Sequence, residues 1–358
     1  MQLGERLRLT LFGTSHGPRV GALLEGVPKG LRVDETAIAQ AMATRRPGGR
    51  YASKRKEQDC VEFLSGIVEG KTTGASIELS IENQDAKSKD YNFLPHHPRP
   101  GHQDMVMHKR TKGEADLRGG GMSSARLTAP LVAAAAFVAP LLAPLGIKAE
   151  AQVGAIGNVE AGEMEHQPAR WSTEACKEMR CRDPDAAEAM VNLVESQRMN
   201  LNSIGSRVDL IVTGTPLGLG EPWFDGIEPA MARAMMSIPA ARGVTFGRGF
   251  DVVNMTGLEH NDAWGGSPES PTPLGERPDG VLAGLATSAP IRCSVAFKPP
   301  SSIASEQKTL HLESGAIEPL TVKGRHDPVL GPRAVAVVEA MAILVLTDLA
   351  LRGGFIDG

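Results

Sequence analysis

The chain has 358 residues, of which 41% are hydrophobic and 22% are charged, as in a globular protein with an ample core. The formal net charge of −4 gives no general electrostatic support for binding nucleic acid, so we expect no nucleic-acid partner. The four cysteines are scattered without a zinc or redox spacing, and no signal peptide is recognisable. We therefore expect a cytoplasmic protein with reduced thiols.

Hydrophobic patterning in the first part of the chain predicts strands over residues 7–12, 20–24, 60–69 and 75–81, and helices over 35–43 and 129–147. Asp34 is the N-cap candidate of the first helix, which Pro47 ends. The 129–147 segment is almost entirely apolar but falls short of the ~20 residues that a membrane span needs. We expect a buried core helix there and no membrane association.

The second part is predicted to contain strands over 148–160, 208–213, 243–253, 281–286 and 291–297, and helices over 171–198, 229–238 and 333–352. Residues 259–279 are polar and rich in proline, which predicts a flexible loop. The sequence of strand, helix, strands, polar turn and long apolar helix resembles that of the first part. This similarity hints at an internal duplication.

Arginines, histidines, glycines and paired serines are concentrated in residues 99–128. The glycines at 119–121 allow positive φ angles, and Ser123 and Ser124 stand just before a helix. An ordinary glycine-rich turn with a serine cap is one interpretation. An anion site at the helix N-terminus is the other, and it is favoured by nearby arginines that can bind phosphate or carboxylate through two hydrogen bonds: Arg99, Arg118 and Arg126.

Ionisable residues also occur in three other predicted turns. His16 lies in a glycine-flanked turn after the first strand, where either a catalytic or a structural histidine would fit. The basic run at 45–56, with Arg45 and Arg50, is either a solvated loop or a flap that closes over an anion. Two later turns hold Lys298 to Ser302, and Arg325 with Asp327.

Metal binding is the tempting interpretation of His96, His97, His102 and His108. Their spacing matches no HExxH pattern, and the neighbouring arginines would repel a cation. On this basis no metal site is expected.

A series of motifs in one order resembles the chorismate synthase family over nearly the whole chain. The motifs are FGTSHG at 12–17, RRPGGRY at 45–51, TTGASIELSIEN at 72–83, RPGHQD at 99–104, RGGGMSSAR at 118–126, PLGLGEPWFDG at 216–226, MSIPAARGVTFGRGFD at 236–251, FKPPSS at 297–302 and GRHDPVLGPRAVAVVEAM at 324–341. No single motif is decisive, but nine in this order make a specific signal.

The resemblance implies an α+β fold in which helices are sandwiched between antiparallel sheets, in one catalytic domain over residues 1–358. It implies a phosphate lyase at the last common step of the shikimate pathway, which supplies aromatic amino-acid biosynthesis. The implied reaction is the anti-1,4-elimination of phosphate from 5-enolpyruvylshikimate 3-phosphate to give chorismate. Reduced FMN is required although nothing is oxidised overall, NADPH is needed only indirectly to reduce the flavin, and the assembly is a homotetramer.

The resemblance also implies roles for individual residues. His102 would protonate the departing phosphate, His16 would manage protons on the reduced flavin, and Asp327 would act with flavin N5 in removing the ring proton. Contacts to FMN are implied for Met122, Ser123, Ser124, Pro239, Ala240, Ala283, Lys298, Pro299, Pro300, Ser301, Ser302 and Arg325. Substrate or nicotinamide dinucleotide contacts are expected for Arg45, Arg50, Arg99, Arg118 and Arg126, of which the resemblance assigns Arg45 and Arg50 to the dinucleotide or the basic flap.

Several positions depart from the family pattern. Thr14 replaces a glutamate, Leu127 replaces another, Ala283 replaces a glycine, and residues 276–280 replace an Asn-His-Ala-Gly-Gly turn. Met122 stands where the family has an arginine, so that position contributes no cation. Arg277, in the polar loop, is the sequence candidate for a replacement cation.

Two other functions are weighed against the lyase. A family member that has lost catalysis could bind flavin or an anionic metabolite, but such a binder has no need of His16, His102 and Asp327 together. A flavin oxidoreductase would need net hydride transfer, and no GxGxxG motif follows a predicted strand. The sequence therefore favours the lyase.

Overall fold

The computed structural model of the chain describes residues 1–46, 58–84, 88–167, 170–323 and 327–357. Helices and antiparallel strands are interspersed, which confirms the predicted α+β class. The first part contains β1 (Gln2–Leu3), β2 (Arg8–Gly13), β3 (Arg19–Glu25), α1 (Glu35–Arg45), β4 (Glu62–Phe63), β5 (Ile67–Val68), β6 (Lys71–Thr72), β7 (Ile77–Glu82), α2 (Asp104–Arg110) and α3 (Thr128–Val138).

The second part begins after a 3₁₀ segment at Ala139–Leu145. It contains β8 (Lys148–Ile156), β9 (Val159–Glu160), α4 (Glu174–Met179), α5 (Pro184–Met199), β10 (Ser206–Thr213), α6 (Ile227–Met236), β11 (Ala241–Phe246), α7 (Gly257–His260), β12 (Trp264–Ser267), β13 (Ser270–Pro273), β14 (Val281–Leu282), β15 (Leu285–Ala286), β16 (Ile291–Phe297), β17 (Gln307–Leu310), β18 (Ile317–Leu320) and α8 (Gly331–Arg352).

Two five-stranded antiparallel sheets form the framework. The first has the order β1-β2-β3-β7-β4, and the second has the order β11-β16-β10-β8-β9. Alternate residues of each strand point to the same face, so Ile77, Leu79 and Ile81 of β7 are buried together. Val208 and Leu210 do the same in β10. Each sheet thus presents an apolar face to the helices.

Two apolar helices cover these sheets. Helix α3 packs on β3 and β7 of the first sheet, α8 packs on β8 and β10 of the second, and the two helices pack against each other. The stretches Arg118–Leu145 and Gly331–Arg352 are apolar and long enough to cross a membrane, but 67% and 89% of their most apolar windows are buried inside the protein. They are therefore core helices, as the sequence predicts, but the helix predicted over 129–147 is buried only as far as Val138 and continues as a more exposed 3₁₀ segment to Leu145.

Several predicted boundaries are corrected by turns that periodicity does not show. The predicted 171–198 helix is divided into α4 and α5, because Arg180 takes a left-handed φ of 54° and Pro184 starts a new helix. The predicted strand 60–69 is broken into β4 and β5. The predicted strand 281–286 is a hairpin, since Ala283 and Gly284 both have positive φ. The predicted strand 243–253 ends at Phe246 and continues into a 3₁₀ turn at Gly249–Asn254.

Residues 259–279 were expected to form a flexible loop, and the structure instead places regular elements there. Strands β12 and β13 pair from Trp264 with Pro273 to Ser267 with Ser270. Pro271 and Pro273, which have no backbone N–H to donate, lie in β13 of this two-stranded hairpin.

The loops that carry the candidate site start from strand ends that lie side by side in each of the two sheets. In the first sheet, β2 ends opposite the start of β3, and Arg19 of β3 pairs with Glu82 at the end of β7. In the second sheet, Phe297 at the end of β16 pairs with Ala241 and Ser206 at the starts of β11 and β10. The loops after β2, β7 and β16 therefore have short paths to a common region.

Candidate active site

The glycine-rich turn at 119–121 lies between the two candidate histidines. A Cβ atom on Gly119, whose φ is +59°, would lie 2.5 Å from His16 Cε1 and 2.9 Å from Ser15 Oγ. A Cβ atom on Gly120 would lie 3.7 Å from both His102 Cε1 and Nε2. Glycine is required at position 119 because a side chain would occupy the space of the His16 ring. The predicted positive φ angles are confirmed at all three glycines, which are 59° at Gly119, 94° at Gly120 and 54° at Gly121.

His16 is held by the turn on one side and by an aromatic ring on the other. Its Nδ1 lies 3.1 Å from Ser15 Oγ, and the same hydroxyl donates to the Arg118 carbonyl at 3.0 Å. The Tyr91 ring meets the imidazole edge-on, with centroids 5.2 Å apart. These contacts link the loop after β2 to the glycine turn and fix the plane of the His16 ring.

His102 forms a compact cluster with Asp104 and Arg99. Its Nδ1 lies 2.6 Å from Asp104 Oδ1, and Arg99 donates to the same carboxylate from Nε at 2.7 Å and Nη2 at 2.8 Å. The carboxylate is a far better acceptor than a neutral ring nitrogen, so the geometry assigns a proton to His102 Nδ1. The ring nitrogen that faces away from the carboxylate is then Nε2.

Asp104 is ionised in this cluster. Burial acts to raise the pKa of its carboxyl group, but the hydrogen bonds from Arg99 and His102 outweigh that effect and hold the pKa well below its usual range. The Arg99 and Asp104 side chains are only 3% and 0% exposed. The cluster is therefore a buried support that orients the partly exposed His102 ring.

The loop after β16 joins this cluster from the second half of the chain. Arg99 Nη1 donates to Ser302 Oγ at 3.1 Å, and both Ser301 Oγ, at 2.8 Å, and Lys298 Nζ donate to the carbonyl of Gly101. The backbone N–H of Lys298 donates to Ala240 at 3.0 Å. The structure thus brings the implied flavin contacts at 240, 298, 301 and 302 next to His102. Pro300 belongs to the same loop and accepts a bond of 2.8 Å from Ser203 Oγ, while Pro299 packs beside Gly205.

A cavity of about 310 Å³ lies beside the glycine turn. Met122, Ser123 and Ser124 line one side, Pro239 lines another, and Arg233 of α6 supplies a cation. The remaining lining is mostly apolar: Met1, Gln2, Leu3, Leu9, Leu11, Leu127, Thr128, Leu131, Ser237, Ile238 and Met341. An apolar slot with hydroxyl groups and one guanidinium at its wall suits a planar aromatic group that carries polar edges.

Ala283 does not join this cluster within one chain. It lies in the β14–β15 turn, and the next residue, Gly284, accepts a hydrogen bond of 3.0 Å from Ile227, the first residue of α6. Pro239 follows the other end of α6, which is ten residues long. At a rise of 1.5 Å per residue, the two positions are roughly 15 Å apart along the helix axis.

Asp327 lies just before α8. Its Oδ2 accepts from Arg333 Nη1 at 2.6 Å, and its side chain is 12% exposed. The neighbouring Pro328 carbonyl accepts from the Ile204 amide at 2.9 Å, which fixes the backbone at this point. The candidate residues Arg50 and Arg325 lie outside the described residues.

Two of the candidate ligand-binding arginines share one buried carboxylate, that of Asp59. Arg45 Nη1 donates to Asp59 Oδ2 at 2.9 Å, and Arg126 Nη1 bonds the other oxygen of the same carboxylate. Arg45 and Arg126 are 2% and 5% exposed. Arg118 lies closer to solvent, with Nη2 2.8 Å from Asp116 Oδ2. The buried Arg45 and Arg126 therefore hold α1 against the start of α3. Arg118 is more exposed and can still reach a ligand.

Within one chain, Arg277 does not supply a replacement cation for position 122. It pairs with Glu163 through Nη1 and Oε1 at 2.5 Å, and it is absent from the lining of the cavity that Met122 contacts. Arg233 lines that cavity instead. Sequence reasoning missed Arg233 because it stands in a methionine-rich helix that reads as core.

Three other contributors were also missed. Asp104 lies within the RPGHQD motif, and a carboxylate close to a histidine is a signal that could have identified it as the orienting group. Ser15 likewise stood within the FGTSHG motif. Tyr91 lies in a polar segment between β7 and α2, and no local signal links it to His16.

His16, His102, Lys298 and Arg99 thus lie where loops of the two sheets meet, an arrangement typical of a site for a small anionic ligand. The family model described as chorismate synthase matches residues 7–351. The chain belongs to the chorismate synthase family.

Similar proteins support this assignment over full lengths. A chorismate synthase of Aeropyrum pernix is 46% identical over 353 residues, which cover 98% of this chain and 92% of that protein. A chorismate synthase of Methanosarcina mazei is 40% identical and covers 99% and 97%. A solved structure described as a crystal structure of chorismate synthase has a TM-score of 0.74 at 28% identity, covering 98% of this chain and 93% of that one.

The comparisons support chorismate synthase function, which is that of a carbon–oxygen lyase. They do not favour the alternative of a family member that only binds flavin or an anionic metabolite.

Proposed function

We propose that the protein eliminates phosphate and a ring proton from 5-enolpyruvylshikimate 3-phosphate to give chorismate, in a 1,4-anti reaction that depends on reduced FMN. The observation that carries this proposal is the arrangement of His16 and His102 on either side of the glycine turn, with Arg99 and Lys298 beside them. A leaving phosphate and the substrate carboxylates need cations and a proton donor, and this region offers both.

His102 donates a proton from Nε2 to the departing phosphate. Asp104 accepts from Nδ1 at 2.6 Å and so keeps the ring in the orientation that points Nε2 away from the buried cluster. Histidine is the side chain best suited to proton transfer near neutral pH, which fits this role. Arg99 fixes Asp104 through hydrogen bonds from Nε and Nη2 and so supports the orientation of His102.

His16 exchanges protons at the opposite side of the glycine turn. Its Nδ1 is paired with Ser15 Oγ at 3.1 Å, and that hydroxyl connects it to the backbone of the turn. Asp327 accepts the proton that leaves the substrate ring. Its ion pair with Arg333 keeps the carboxylate in place at the start of α8.

FMN fits the cavity beside the glycine turn. Ser123 and Ser124 would meet its polar edge, Met122 and Pro239 would cover its apolar face, and Arg233 would lie near an anionic group. Lys298 to Ser302 lie beyond Ala240 and would hold the rest of the cofactor. When bound in reduced form, the flavin supplies reversible electron density to the substrate. NADPH contributes only by reducing the flavin elsewhere.

We infer that the working form is a homotetramer in the cytoplasm, and the position of Ala283 supports only the part of this inference that concerns contact between subunits. Within one chain Ala283 lies at the far end of α6 from Pro239. A contact from Ala283 to FMN, as the resemblance implies, would then come from a neighbouring subunit. Arg118 remains a candidate for substrate contact, while Arg45 and Arg126 contribute by shaping the loop through Asp59.

We also propose that the fold is a duplicated sandwich. The order β2-β3-α1-β4-β7-α3 corresponds to β8-β10-α6-β11-β16-α8, and the strands occupy matching places in the two sheets. Helices α3 and α8 face each other between the sheets. The loop that follows β7 carries His102, and the loop that follows β16 carries Lys298, so corresponding loops of both halves build one site.

Anaerobic turnover tests this function directly. Purified protein is mixed with substrate and chemically reduced FMN, and chorismate absorbance and phosphate release are followed together. Equal amounts of both products, with no turnover when the flavin is oxidised, are expected. Substrate binding without release of phosphate would contradict the proposal.

A further inference from the structure

A cluster of imidazole and carboxylate groups lies outside the candidate active site. The ligand atoms of His97, His311 and Glu318 all lie within 4.8 Å of one another, and His96, His311 and Glu313 form an overlapping set. His97 Nε2 is 2.8 Å from Glu318 Oε2, and the rings of His97 and His311 have centroids 4.5 Å apart. Two nitrogens and a carboxylate oxygen thus converge from sequence positions more than 200 residues apart.

The backbone around the cluster is already ordered by its own hydrogen bonds. Strands β17 and β18 form a hairpin, and Leu312 at its tip donates to the His96 carbonyl at 2.9 Å. Thr309 Oγ1 donates to the Pro98 carbonyl. Ser314 Oγ lies 2.9 Å from His311 Nδ1 and steadies that ring. The three side chains are therefore presented by two segments that are fixed against each other before any ligand binds.

Of the two overlapping sets, the one with Glu318 is better built. The side chains of His97, His311 and Glu318 are 23%, 19% and 37% exposed, whereas His96 and Glu313 are 44% and 70% exposed. A less exposed ligand loses less side-chain freedom and competes less with water on binding. The arginine that sequence reasoning expected to repel a cation, Arg99, instead donates to Asp104 and Ser302.

We propose that His97, His311 and Glu318 bind a borderline divalent transition ion such as Zn²⁺. Two imidazoles and one carboxylate suit zinc, nickel or cobalt, while magnesium and calcium prefer all-oxygen sites. Three protein ligands leave further positions for water, as in other open zinc sites. The ion joins the β17–β18 hairpin to the segment that continues into Arg99 and His102.

Metal titration of untagged, EDTA-treated protein tests the site without reference to activity. Zn²⁺ binding is measured by calorimetry, Co²⁺ binding by its visible absorption, and the metal content by mass spectrometry. Wild-type protein is expected to take up one ion per chain, with a rise in Tm, while Mg²⁺ and Ca²⁺ cause neither effect.

Matched variants identify the ligands. His311→Ala and Glu318→Gln are expected to weaken Zn²⁺ binding at least ten-fold and to abolish the rise in Tm. Glu313→Gln, in the overlapping set, and His166→Ala, a highly exposed histidine beside Glu163, are expected to bind as wild type. Glu318→Gln changes no backbone and serves if His311→Ala fails to fold.

Three outcomes would overturn the proposal: no saturable uptake by the wild type, unchanged uptake in Glu318→Gln, or loss of uptake in Glu313→Gln alone.

Discussion

Replacing Asp104 by asparagine removes one charge from the Arg99–His102–Asp104 cluster and nearly preserves its shape. Asp104 accepts from the Arg99 backbone N–H at 3.0 Å, from Arg99 Nε and Nη2 at 2.7 and 2.8 Å, and from His102 Nδ1 at 2.6 Å. An amide has one acceptor oxygen, and its NH₂ group would face a donor from Arg99 or His102. The variant therefore cannot keep all four contacts.

The loss is large because the cluster is buried. Removing one partner of a buried ion pair typically costs about 3–5 kcal/mol, since the other charge is left without compensation. Against a total stability of about 5–15 kcal/mol, the variant should fold but unfold at a clearly lower denaturant concentration. Catalysis should fall by roughly 10²–10⁴-fold in kcat, because His102 loses the group that fixes its tautomer and orientation.

Urea unfolding and anaerobic steady-state kinetics measure the two effects. Asp225→Asn is a matched control, because its ion pair with Arg352 is exposed on the carboxylate side and should contribute no more than about 1 kcal/mol. Wild-type stability and kcat in Asp104→Asn would refute the assigned role. A stability loss with unchanged kcat would leave Asp104 as a structural residue only.

The acid dependence of stability gives an independent check. The folded-state pKa of Asp104 is held below its unfolded value by the bonds from Arg99 and His102, which prevail over the opposing effect of burial. Its ionisation therefore stabilises the fold fully above the unfolded pKa of roughly 3.9, and this contribution is lost as pH falls below that value. Between pH 6 and 3, wild-type stability should fall more steeply than that of Asp104→Asn. Parallel curves would contradict the shift.

The remaining predictions concern the groups around the glycine turn. His102→Ala should lower kcat by roughly 10²–10⁴-fold while substrate binding changes little, and normal turnover with excess FMN would remove its role as acid. Asp327→Asn should slow turnover with fold and flavin binding intact, and an unchanged rate would exclude it. His16→Ala should alter the spectrum of reduced flavin in the ternary complex, and an unaltered spectrum would count against it. Met122→Arg should improve substrate affinity little, whereas Arg233→Met should weaken it. A ten-fold gain in substrate affinity in Met122→Arg, about 1.4 kcal/mol, would show that Arg233 does not compensate for the missing arginine.

The sequence predicted best those strands and helices whose hydrophobic residues follow one clear periodicity. The segment 291–297 was predicted to the residue, and Asp34 caps α1 as expected, accepting from Ala37 at 2.9 Å. The errors lie where a short apolar run contains a turn of the chain, as between β4 and β5 at 60–69 and within the β14–β15 hairpin at 281–286. Strands β17 and β18 were missed, because each has only four residues and their pairing is stabilised by contacts with residues 96–98. Tertiary contacts decide such short strands, and local patterning does not contain them.

For the site, the sequence located the loops but not the directions of their side chains. The resemblance placed His16, His102 and the glycine turn in one region, and the structure puts both rings against that turn. Sequence reasoning could not tell that Arg45 and Arg126 share Asp59, since the carboxylate is 14 and 67 residues away from them. A basic residue in a binding motif can contact the ligand or can form an ion pair inside the protein that stabilises the loop. Only the burial of its side chain distinguishes these two roles.

This distinction changes the account of positive charge at the site. Asp59 lies against Arg45 and Arg126, and Asp104 lies against Arg99, so three of the arginines counted from the sequence each carry a buried carboxylate partner. Lys298 is different, because it donates to a backbone carbonyl, and burial together with nearby Arg242 lowers its pKa. A cation bonded to a neutral group keeps its charge available to an incoming phosphate. Among the described residues near His102, Lys298 is therefore the group whose charge stabilises an anionic ligand most. It comes from the second half of the chain, whereas His16 and His102 come from the first.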